Sequence, residues 1–382
     1  MSARDTNLVA DYRNYSHLSE NFPKVTKPRV VNSFSIDRKG VYHESLEQLK
    51  YLNLPVGRVQ WDLNNGYEIY EKKDSNCNNI TYILQFIEKN WKRMHIHSNH
   101  PDRDKKIIFP DIVCFRGLLR LLMCTPYEAS PRCDGWIILA SKYRGTIYLY
   151  EKYTPEKEVK VANMPKDHQK FCYYGYKFEQ YIMTKEPGKP NDVSEPVIER
   201  EEFDVGFKTE IGHHRVFYIA EVDGIDSKVP VDKDADLSRT PVEFVEVKTT
   251  KKIEKFYDEK NFHRYKLRTW WCQSFLAGIE TVYYGERTAK GIVETVKEIP
   301  VKDMPKLGKN DWSTVICMKF CILFLDMVKD FMKNIDDSDT VIKFSFNPRV
   351  SDYVQFEEFL GKSPLTFLEP SFVEFLCAQD KR

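Results

Sequence analysis

Residues 243–249 read EFVEVKT, a run rich in β-branched and aromatic residues. This composition predicts a β-strand over residues 242–249. Side chains two positions apart project from the same face of a strand, so Glu246 and Lys248 are expected to lie side by side. On spacing alone, a Glu-x-Lys pair is more often a solvated strand face than a functional site.

A second acidic strand precedes this one. Residues 214–222 alternate apolar and polar side chains and continue into Glu221-Val222-Asp223-Gly224, which predicts a strand that ends in a turn. Glu221 and Asp223 would then share a face. If the two strands are neighbours, three carboxylates and one ammonium group converge, and the carboxylates repel one another unless a cation lies between them. Hard oxygen ligands of this kind favour Mg²⁺ or Mn²⁺.

An aspartate, a loop of variable length and a Glu-x-Lys pair resemble the site of the PD-(D/E)xK nucleases, with Asp223, Glu246 and Lys248 in those positions. In such a site, carboxylates hold one or two metal ions, which offset the charge of the scissile phosphate and activate a water molecule. The lysine stabilises the transition state or positions the water. The backbone carbonyl of Val247 is a candidate for completing the coordination. Pro110-Asp111 matches the letters "PD" but lies far from Glu246 in sequence.

A predicted helix over residues 166–184 contains Gly175-Tyr176-Lys177-Phe178-Glu179. Glycine costs about 1 kcal/mol relative to alanine inside a helix, so Gly175 indicates close packing. Glu179 is one turn further on and shares its face. It is either a fourth acid of the site or an ordinary surface glutamate.

A predicted helix over residues 261–277 places Lys266, Trp270 and Gln273 on one stripe. Two polar groups that flank an aromatic ring could bind a phosphate backbone. A tryptophan at helical spacing is more often part of the core, however. We expect Trp271 and Phe275 on the core face, so that Lys266 faces the cleft.

Strands and helices interleave without a strict βαβ rhythm, which predicts an α/β fold with mixed central sheets flanked by helices. Residues 1–27 are polar and are expected to be irregular and partly flexible. No linker interrupts residues 28–382, which predicts a single catalytic domain. A short helix is also predicted over residues 46–52.

Composition limits the classes of function. The chain has 58 Lys and Arg against 57 Asp and Glu, a net charge of +1, which argues against a polybasic nucleic-acid binder. Its nine cysteines include no Cys-x-x-Cys pair, which indicates reduced thiols in a cytosolic or nuclear protein rather than a structural zinc site. No secretory leader or membrane-spanning stretch is expected.

The four segments, taken in this order, resemble the DXO decapping exoribonuclease family. The likeness also includes FSID at residues 34–37, FRG at 115–117, TPYE at 125–128 and GTIY at 145–148, and it runs from about Pro28 to beyond Phe367. Each motif is common, whereas the ordered set is specific. The resemblance implies an α/β domain with a PD-(D/E)xK nuclease-like core and an active site in a pocket.

The resemblance also assigns roles to residues. It implies that Glu179, Glu221, Asp223 and Glu246, with the carbonyl of Val247, hold the metal, Glu179 directly or through water. The same acids and Lys248 are implied to be catalytic. The expected substrate-binding residues are Arg116, Lys248, Lys266 and Gln273. Because every motif position is filled, an active member of the family is expected.

The implied activity is metal-dependent hydrolysis at RNA 5′ ends in RNA quality control. Expected substrates are 5′-triphosphate RNA, incompletely capped RNA and NAD-capped RNA, with further 5′→3′ exonuclease activity in some members. The expected cofactors are one or two Mg²⁺ or Mn²⁺ ions, and a 5′→3′ exonuclease is an expected partner. The resemblance implies nuclear residence, with the cytoplasm as a second location.

Two alternatives remain from the residues. One is a catalytically silent protein that binds RNA 5′ ends or acts as a scaffold for an exonuclease, and the other is a DNA endonuclease with the same metal chemistry. The histidines within residues 95–100 are interpreted as a polar loop, since their spacing fits no zinc finger. The basic runs at 248–255 and 264–268 are either solvated faces or contacts to an RNA backbone.

Overall fold

The computed structural model describes residues 3–15, 21–73, 80–94, 110–128, 130 and 133–379. The histidines of residues 95–100 lie outside the described residues. Within this part of the chain the strands are β1 (Arg4–Val9), β2 (Arg29–Ile36), β3 (Tyr42–His43), β4 (Tyr51–Leu52), β5 (Trp61–Asp62), β6 (Ile112–Phe115), β7 (Trp136–Tyr143), β8 (Thr146–Lys152), β9 (Met183–Thr184), β10 (Glu202–Ile211), β11 (His214–Glu221), β12 (Gly224–Ile225), β13 (Phe244–Lys251), β14 (Thr281–Arg287), β15 (Ile292–Pro300), β16 (Asp337–Phe346) and β17 (Tyr353–Phe359).

The helices of the described residues are α1 (Thr81–Lys89), α2 (Trp91–Met94), α3 (Arg116–Cys124), α4 (Pro155–Ala162), α5 (Lys166–Ile182), α6 (Phe256–Asn261), α7 (Arg268–Ala277), α8 (Met304–Leu307), α9 (Thr314–Phe331) and α10 (Pro370–Gln379). A π-helical segment, Phe262–Leu267, joins α6 to α7. None of the described helices is long and apolar enough to cross a lipid bilayer.

The strands form two mixed sheets. The larger has the order β1-β17-β16-β7-β8-β6-β11-β10-β2-β3, and the smaller has the order β5-β15-β14-β13-β12-β4-β9. In the larger sheet β6 is parallel to both of its neighbours, whereas in the smaller one β13 is parallel to β14 and β12 to β4. The expected α/β fold with mixed central sheets is confirmed. The predicted single domain over residues 28–382 stays a prediction.

The chain passes from one sheet to the other at the acidic segment. Strand β11 ends at Glu221 in the larger sheet, and β12 begins at Gly224 in the smaller one, where it pairs with β13. The two acidic strands therefore lie in different sheets, and the expectation that Glu221 and Asp223 share a strand face was wrong. Asp223 lies in the connection between sheets rather than on the face of β11, because the backbone turns away after Glu221.

Helices hold both sheets in place around this junction. Helix α3 packs against α7 and α9, and α5 packs against β13. Helix α9 buries one face, which includes Phe320 and Phe324. The site is thus built on elements whose apolar faces are fixed by packing.

Two expectations near the N-terminus were wrong. The first dozen residues include β1, which pairs with β17 because Thr6 and Leu8 alternate toward the buried face. The short helix predicted over residues 46–52 is a turn followed by β4. There Ser35 Oγ accepts from the backbone N–H of Gln48 at 3.0 Å and donates to the carbonyl of Ser45 at 2.9 Å, which satisfies backbone groups outside a helix.

Candidate active site

Glu246 is buried at the centre of the site, with 1% of its surface exposed. Its carboxylate forms an ion pair with Lys248, accepts a 2.8 Å hydrogen bond from Gln273 Nε2 and lies 3.4 Å from Arg116 Nη1. These groups come from β13, α7 and the first residue of α3, so three elements converge on one carboxylate. A charge this buried requires partners of this kind. The prediction that Glu246 and Lys248 share a face is confirmed.

Asp223 connects the two sheets through a backbone contact. Its Oδ2 accepts a 2.6 Å hydrogen bond from the N–H of Val247. Burial raises the pKa of Asp223 well above its ordinary value, the negative charge of Glu246 adds to this, and Lys248 opposes it. Because the N–H and C=O of one strand residue point to the same edge, the Val247 carbonyl also faces Asp223. That placement supports its interpretation as a metal ligand.

Glu179 reaches the same region from α5. Its Oε1 lies 2.7 Å from Lys50 Nζ, an ion pair that stands beside Asp223. Burial alone would lower the pKa of Lys50, but the carboxylates of Glu179, Asp223 and Glu221 outweigh it and raise the pKa. One lysine therefore compensates part of the charge of three predicted metal ligands.

Glu221 lies at the end of β11, directly opposite Asp204 of β10. Burial raises the pKa of Glu221 to about 7, and the charges of Glu202 and Glu179 contribute, while Arg116 opposes the shift. Protein surrounds the side chain of Glu221 on most sides. It remains accessible to solvent because it lines two cavities. Like charges directly opposite on neighbouring strands destabilise a sheet, so this pair indicates a candidate functional position.

Two cavities open on either side of Glu221 and Tyr176. One has a volume of 390 Å³ and is lined by Arg116, Lys73 and the carboxylates of Glu202 and Asp204. The other has a volume of 630 Å³ and is lined by Glu179, Lys50 and Lys185. Ligand sites in proteins span about 300–1,000 Å³, so either cavity is large enough for a nucleotide.

The helical segment that carries Lys266 and Gln273 is not a continuous α-helix. Lys266 lies in the π-helical segment, a conformation often found at functional sites, and Gln273 lies in α7. Burial lowers the pKa of Lys266, and the like charges of Arg287 and Lys248 lower it further, which places Lys266 near Lys248. Trp270 packs against Phe262 and Tyr284 in the core, so of the two roles left open for this ring the structure supports the core role.

The basic runs divide between two roles. Arg268 is 3% exposed, pairs with Glu128 at 3.0 Å and stacks on Tyr127, so it stabilises the fold. Lys251 and Arg264 are exposed and remain candidates for contacts to an RNA backbone.

The structure brings most of the predicted site residues together. One connected set contains Glu179, Asp223, Glu246, Lys248, Arg116 and Gln273. Glu221 interacts with this set through Glu179 and Arg116. Lys266 lies beside Lys248. Among the described residues, no three of the four carboxylates bring oxygens to within 4.8 Å of one another. In this state the negative charge of the carboxylates is balanced by cationic side chains of the protein. The carboxylates themselves do not form a closed cluster.

Four charged residues of the site were missed from the sequence. Lys50 lies on Glu179, while Lys73 pairs with Glu202 at 2.6 Å beside Asp204 in the smaller cavity. Glu202-Phe203-Asp204 has the same acid-x-acid spacing as Glu221-Val222-Asp223, and this signal could have revealed it. Burial raises the pKa of both Glu202 and Asp204.

The family model described as "RAI1 like PD-(D/E)XK nuclease" matches residues 26–373. The chain belongs to this family. The decapping and exoribonuclease protein of Bos taurus is 32% identical over 365 residues, which cover 92% of this chain and 86% of that protein. The decapping and exoribonuclease protein of Homo sapiens is 31% identical and covers 86% of this chain and 80% of its own length.

Solved structures of RAI1-like proteins share the fold. Candida albicans Rai1 in complex with pU5-Mn²⁺ matches with a TM-score of 0.78 at 20% identity, covering 99% of this chain and all of that one. Scheffersomyces stipitis Rai1 in complex with (3′-NADP)⁺ and calcium ion matches with a TM-score of 0.75 at 22% identity, covering 94% and 99%. The chain is an enzyme of a divalent-metal nuclease family with decapping and exoribonuclease members, as the sequence predicts.

The residues of the site fit a divalent cation. Burial and mutual repulsion raise the pKa of Glu221 and Asp223, so a cation that replaces the protein ammonium groups would favour their ionised form. The donors are carboxylate oxygens and a backbone carbonyl, the ligands that hard divalent ions prefer.

Proposed function

We propose that this protein hydrolyses phosphate linkages at the 5′ ends of RNA with one or two Mg²⁺ or Mn²⁺ ions. One observation carries the proposal: Asp223 and Glu246 meet at the junction of the two sheets, with Lys248, Arg116 and Gln273 on the same carboxylate. These are the motif positions of the nuclease family, brought together from separate parts of the chain. The adjoining cavity has a size suited to a 5′-terminal nucleotide.

Each side chain has a role in this proposal. Asp223, Glu246, Glu179, Glu221 and the Val247 carbonyl would hold the metal. A bound divalent ion would offset the charge of the scissile phosphate and lower the pKa of an attacking water molecule. Lys248 and Arg116, now paired with Glu246, would stabilise negative charge that develops on the phosphate.

Glu221 would connect the metal site to the space for substrate. It faces both cavities, so it is accessible to substrate and to water. Lys266 and Gln273 would orient the phosphate backbone, with Lys266 beside Lys248.

The proposed substrates are RNAs with a 5′-triphosphate, an incomplete cap or an NAD cap, followed by 5′→3′ digestion of the exposed chain. Relatives named decapping and exoribonuclease proteins support the pairing of these activities. The nucleotide complexes of two RAI1-like proteins, with pU5 and with (3′-NADP)⁺, support a pocket for RNA ends and dinucleotides. We further propose a 5′→3′ exonuclease as a partner, since a deprotected 5′ end is that enzyme's substrate.

The test is hydrolysis of a panel of 5′-triphosphate, capped and NAD-capped RNAs with Mn²⁺. Wild-type protein is compared with the double variant Asp223→Ala plus Glu246→Ala. We expect the variant to lose turnover by at least about 10²-fold, since both carboxylates belong to the metal site, and to keep RNA binding. Glu243→Ala plus Glu298→Ala is a matched control, because both are exposed carboxylates of the smaller sheet region.

The outcomes separate the alternatives. Equal product from the double variant contradicts the site assignment. Binding of RNA without product by the wild type indicates a silent 5′-end-binding protein or scaffold. Cleavage of duplex DNA in preference to RNA indicates an endonuclease.

We also propose that the protein resides in the nucleus and, secondarily, in the cytoplasm. Nuclear transcripts carry the unfinished 5′ ends that such an enzyme would remove. Fractionation of cells that express a tagged protein tests this, and a tag found only in the cytoplasm contradicts it.

A further inference from the structure

Two adjacent histidines and an aspartate meet at the turn between β10 and β11. His213 Nε2 lies 3.0 Å and His214 Nε2 lies 2.8 Å from the same oxygen, Oδ1 of Asp326 on α9. Consecutive residues of a strand normally point to opposite faces. Here the turn at Gly212, with a φ of +63°, brings both rings to one side, with their centroids 4.1 Å apart.

The three ligand atoms have the spacing of a metal site. All lie within 4.8 Å of one another, and they are the only such group among the described residues. With metal–ligand bonds of about 2.0–2.2 Å, neighbouring ligand atoms around a tetrahedral ion stand roughly 3.3 Å apart. Small side-chain rotations would bring the observed separations to that value.

The surroundings leave these groups available to an ion. His214 is fully buried and holds its ring in place, while His213 and Asp326 keep 66% and 35% of their side-chain surface exposed. The neighbouring cation Arg215 pairs with Asp111 at 2.5 Å, and Lys329 lies 3.7 Å from the same carboxylate. Asp111 therefore offsets the positive charge next to the cluster.

We propose that His213, His214 and Asp326 form a second metal site, which takes a first-row transition metal such as Zn²⁺. Two imidazoles and one carboxylate suit Zn²⁺ and leave one position open for water. The site is separate from the carboxylate centre: His214 and Glu221 are the two ends of β11, roughly 23 Å apart at about 3.3 Å per residue. A bound ion would tie the β10–β11 hairpin to α9 and would act on stability rather than on chemistry.

Calorimetric titration with Zn²⁺ in millimolar Mg²⁺ tests this proposal. His213→Ala is the main variant, because this exposed side chain can be removed without disturbing the core, and circular dichroism verifies its folding. His168→Ala is the matched control, since this histidine is also exposed and lies on α5. Other sites for Zn²⁺, such as thiols or the carboxylate centre, contribute equally to all three proteins and cancel.

We expect one Zn²⁺ site in the wild type and in His168→Ala whose affinity falls at least about tenfold in His213→Ala. Asp326→Asn should weaken the same site, and Zn²⁺ should raise the melting temperature of the wild type more than that of either variant. Identical Zn²⁺ titrations for wild type and His213→Ala would show that the three side chains form hydrogen bonds only. The readout is independent of RNA hydrolysis, so it is distinguishable from failure of the proposed function.

Discussion

The backbone N–H of Val247 donates a 2.6 Å hydrogen bond to Oδ2 of Asp223. Strand β12 pairs with β13 only at Phe244 and Val245. At Val247, beyond the end of β12, the side chain of Asp223 accepts the backbone hydrogen bond instead. The bond holds Asp223 against Glu246 in spite of their like charges, and burial together with that repulsion raises the pKa of Asp223. Asp223 therefore contributes to the site both through its hydrogen bond to Val247 and through its negative charge.

Asp223→Asn separates these two contributions. The amide oxygen can still accept from Val247, while the charge is lost, so we expect turnover on 5′-triphosphate RNA to fall by at least about 10²-fold. Metal-free thermal stability should stay equal or rise, since repulsion from Glu246 is removed. Asp223→Ala should lose turnover and also stability, by about 1–3 kcal/mol, because a backbone N–H is left unpaired. Equal melting temperatures for the Asn and Ala variants would contradict the role of the hydrogen bond.

The pKa of Glu221 predicts how stability depends on pH. Burial raises this pKa from 4.5 to about 7, so between these values the folded chain binds more protons than the unfolded chain. The contribution of Glu221 to stability is therefore present at low pH and is lost as the pH rises through 7. We expect the metal-free wild type to lose melting temperature relative to Glu221→Gln between about pH 5 and pH 8. A constant difference over that range would contradict the raised pKa.

Metal binding should release protons for the same reason. A divalent ion favours the ionised carboxylates, so near pH 6 it displaces protons that Glu221 holds in its absence. Titrations with Mn²⁺ in buffers of different ionisation enthalpy measure this release. We expect a net release near pH 6 that decreases toward pH 8 and is reduced in Glu221→Gln. A release equal in the variant would assign these protons to other groups.

The elements of the site that are local in sequence could be predicted. Strands β11 and β13 and helices α3, α5 and α9 have long apolar patterns, and such patterns depend only on near neighbours. The acids were found from the spacings Glu221-x-Asp223 and Glu246-x-Lys248 and from the position of Glu179 one turn after Gly175. The proposal that Glu246 and Lys248 share a face follows from the period of a strand and is confirmed.

The arrangement between these elements could not be predicted. Strand β12 has two residues, too few to show a period, yet it is where the chain enters the smaller sheet after β11. Lys50 precedes β4 in a segment without regular structure, yet its side chain reaches Glu179, which is 129 residues away. Contacts between distant segments are set by packing of the whole fold and leave little local signal.

The ion pair between Lys50 and Glu179 predicts that the ammonium group of Lys50 and the metal ion compete for the same carboxylates. Its ammonium group lies 2.7 Å from Glu179 and also interacts with Asp223 and Glu221. In Lys50→Met these carboxylates lose their compensating charge, so metal-free stability should fall by about 1–3 kcal/mol. Mn²⁺ should then raise the melting temperature more than it does in the wild type, because the ion no longer displaces a cation. Lys189→Met, an exposed lysine of the same cavity, should behave as wild type, and an equal response of both variants would contradict the competition.

Gly224 links the position of Asp223 to the pairing of two strands. Its φ of +150° lies in a region that side chains disfavour, and a Cβ there would overlap the carbonyl oxygen of Lys50. That oxygen accepts a 3.0 Å hydrogen bond from the N–H of Ile225, so Gly224→Ala would separate β4 from β12. We expect a loss of about 2–4 kcal/mol in stability, from overpacking and backbone strain together.

Turnover should fall more steeply than stability in Gly224→Ala, because both neighbours of the altered backbone carry site groups: Asp223 precedes it, and Lys50 holds Glu179. The measurement is turnover on 5′-triphosphate RNA at a temperature where circular dichroism shows the variant fully folded. Gly57→Ala is the control, since a Cβ at that glycine meets nothing within 4 Å although its φ is also positive, at +84°. Full turnover by folded Gly224→Ala would contradict the proposed link between this glycine and the position of Asp223.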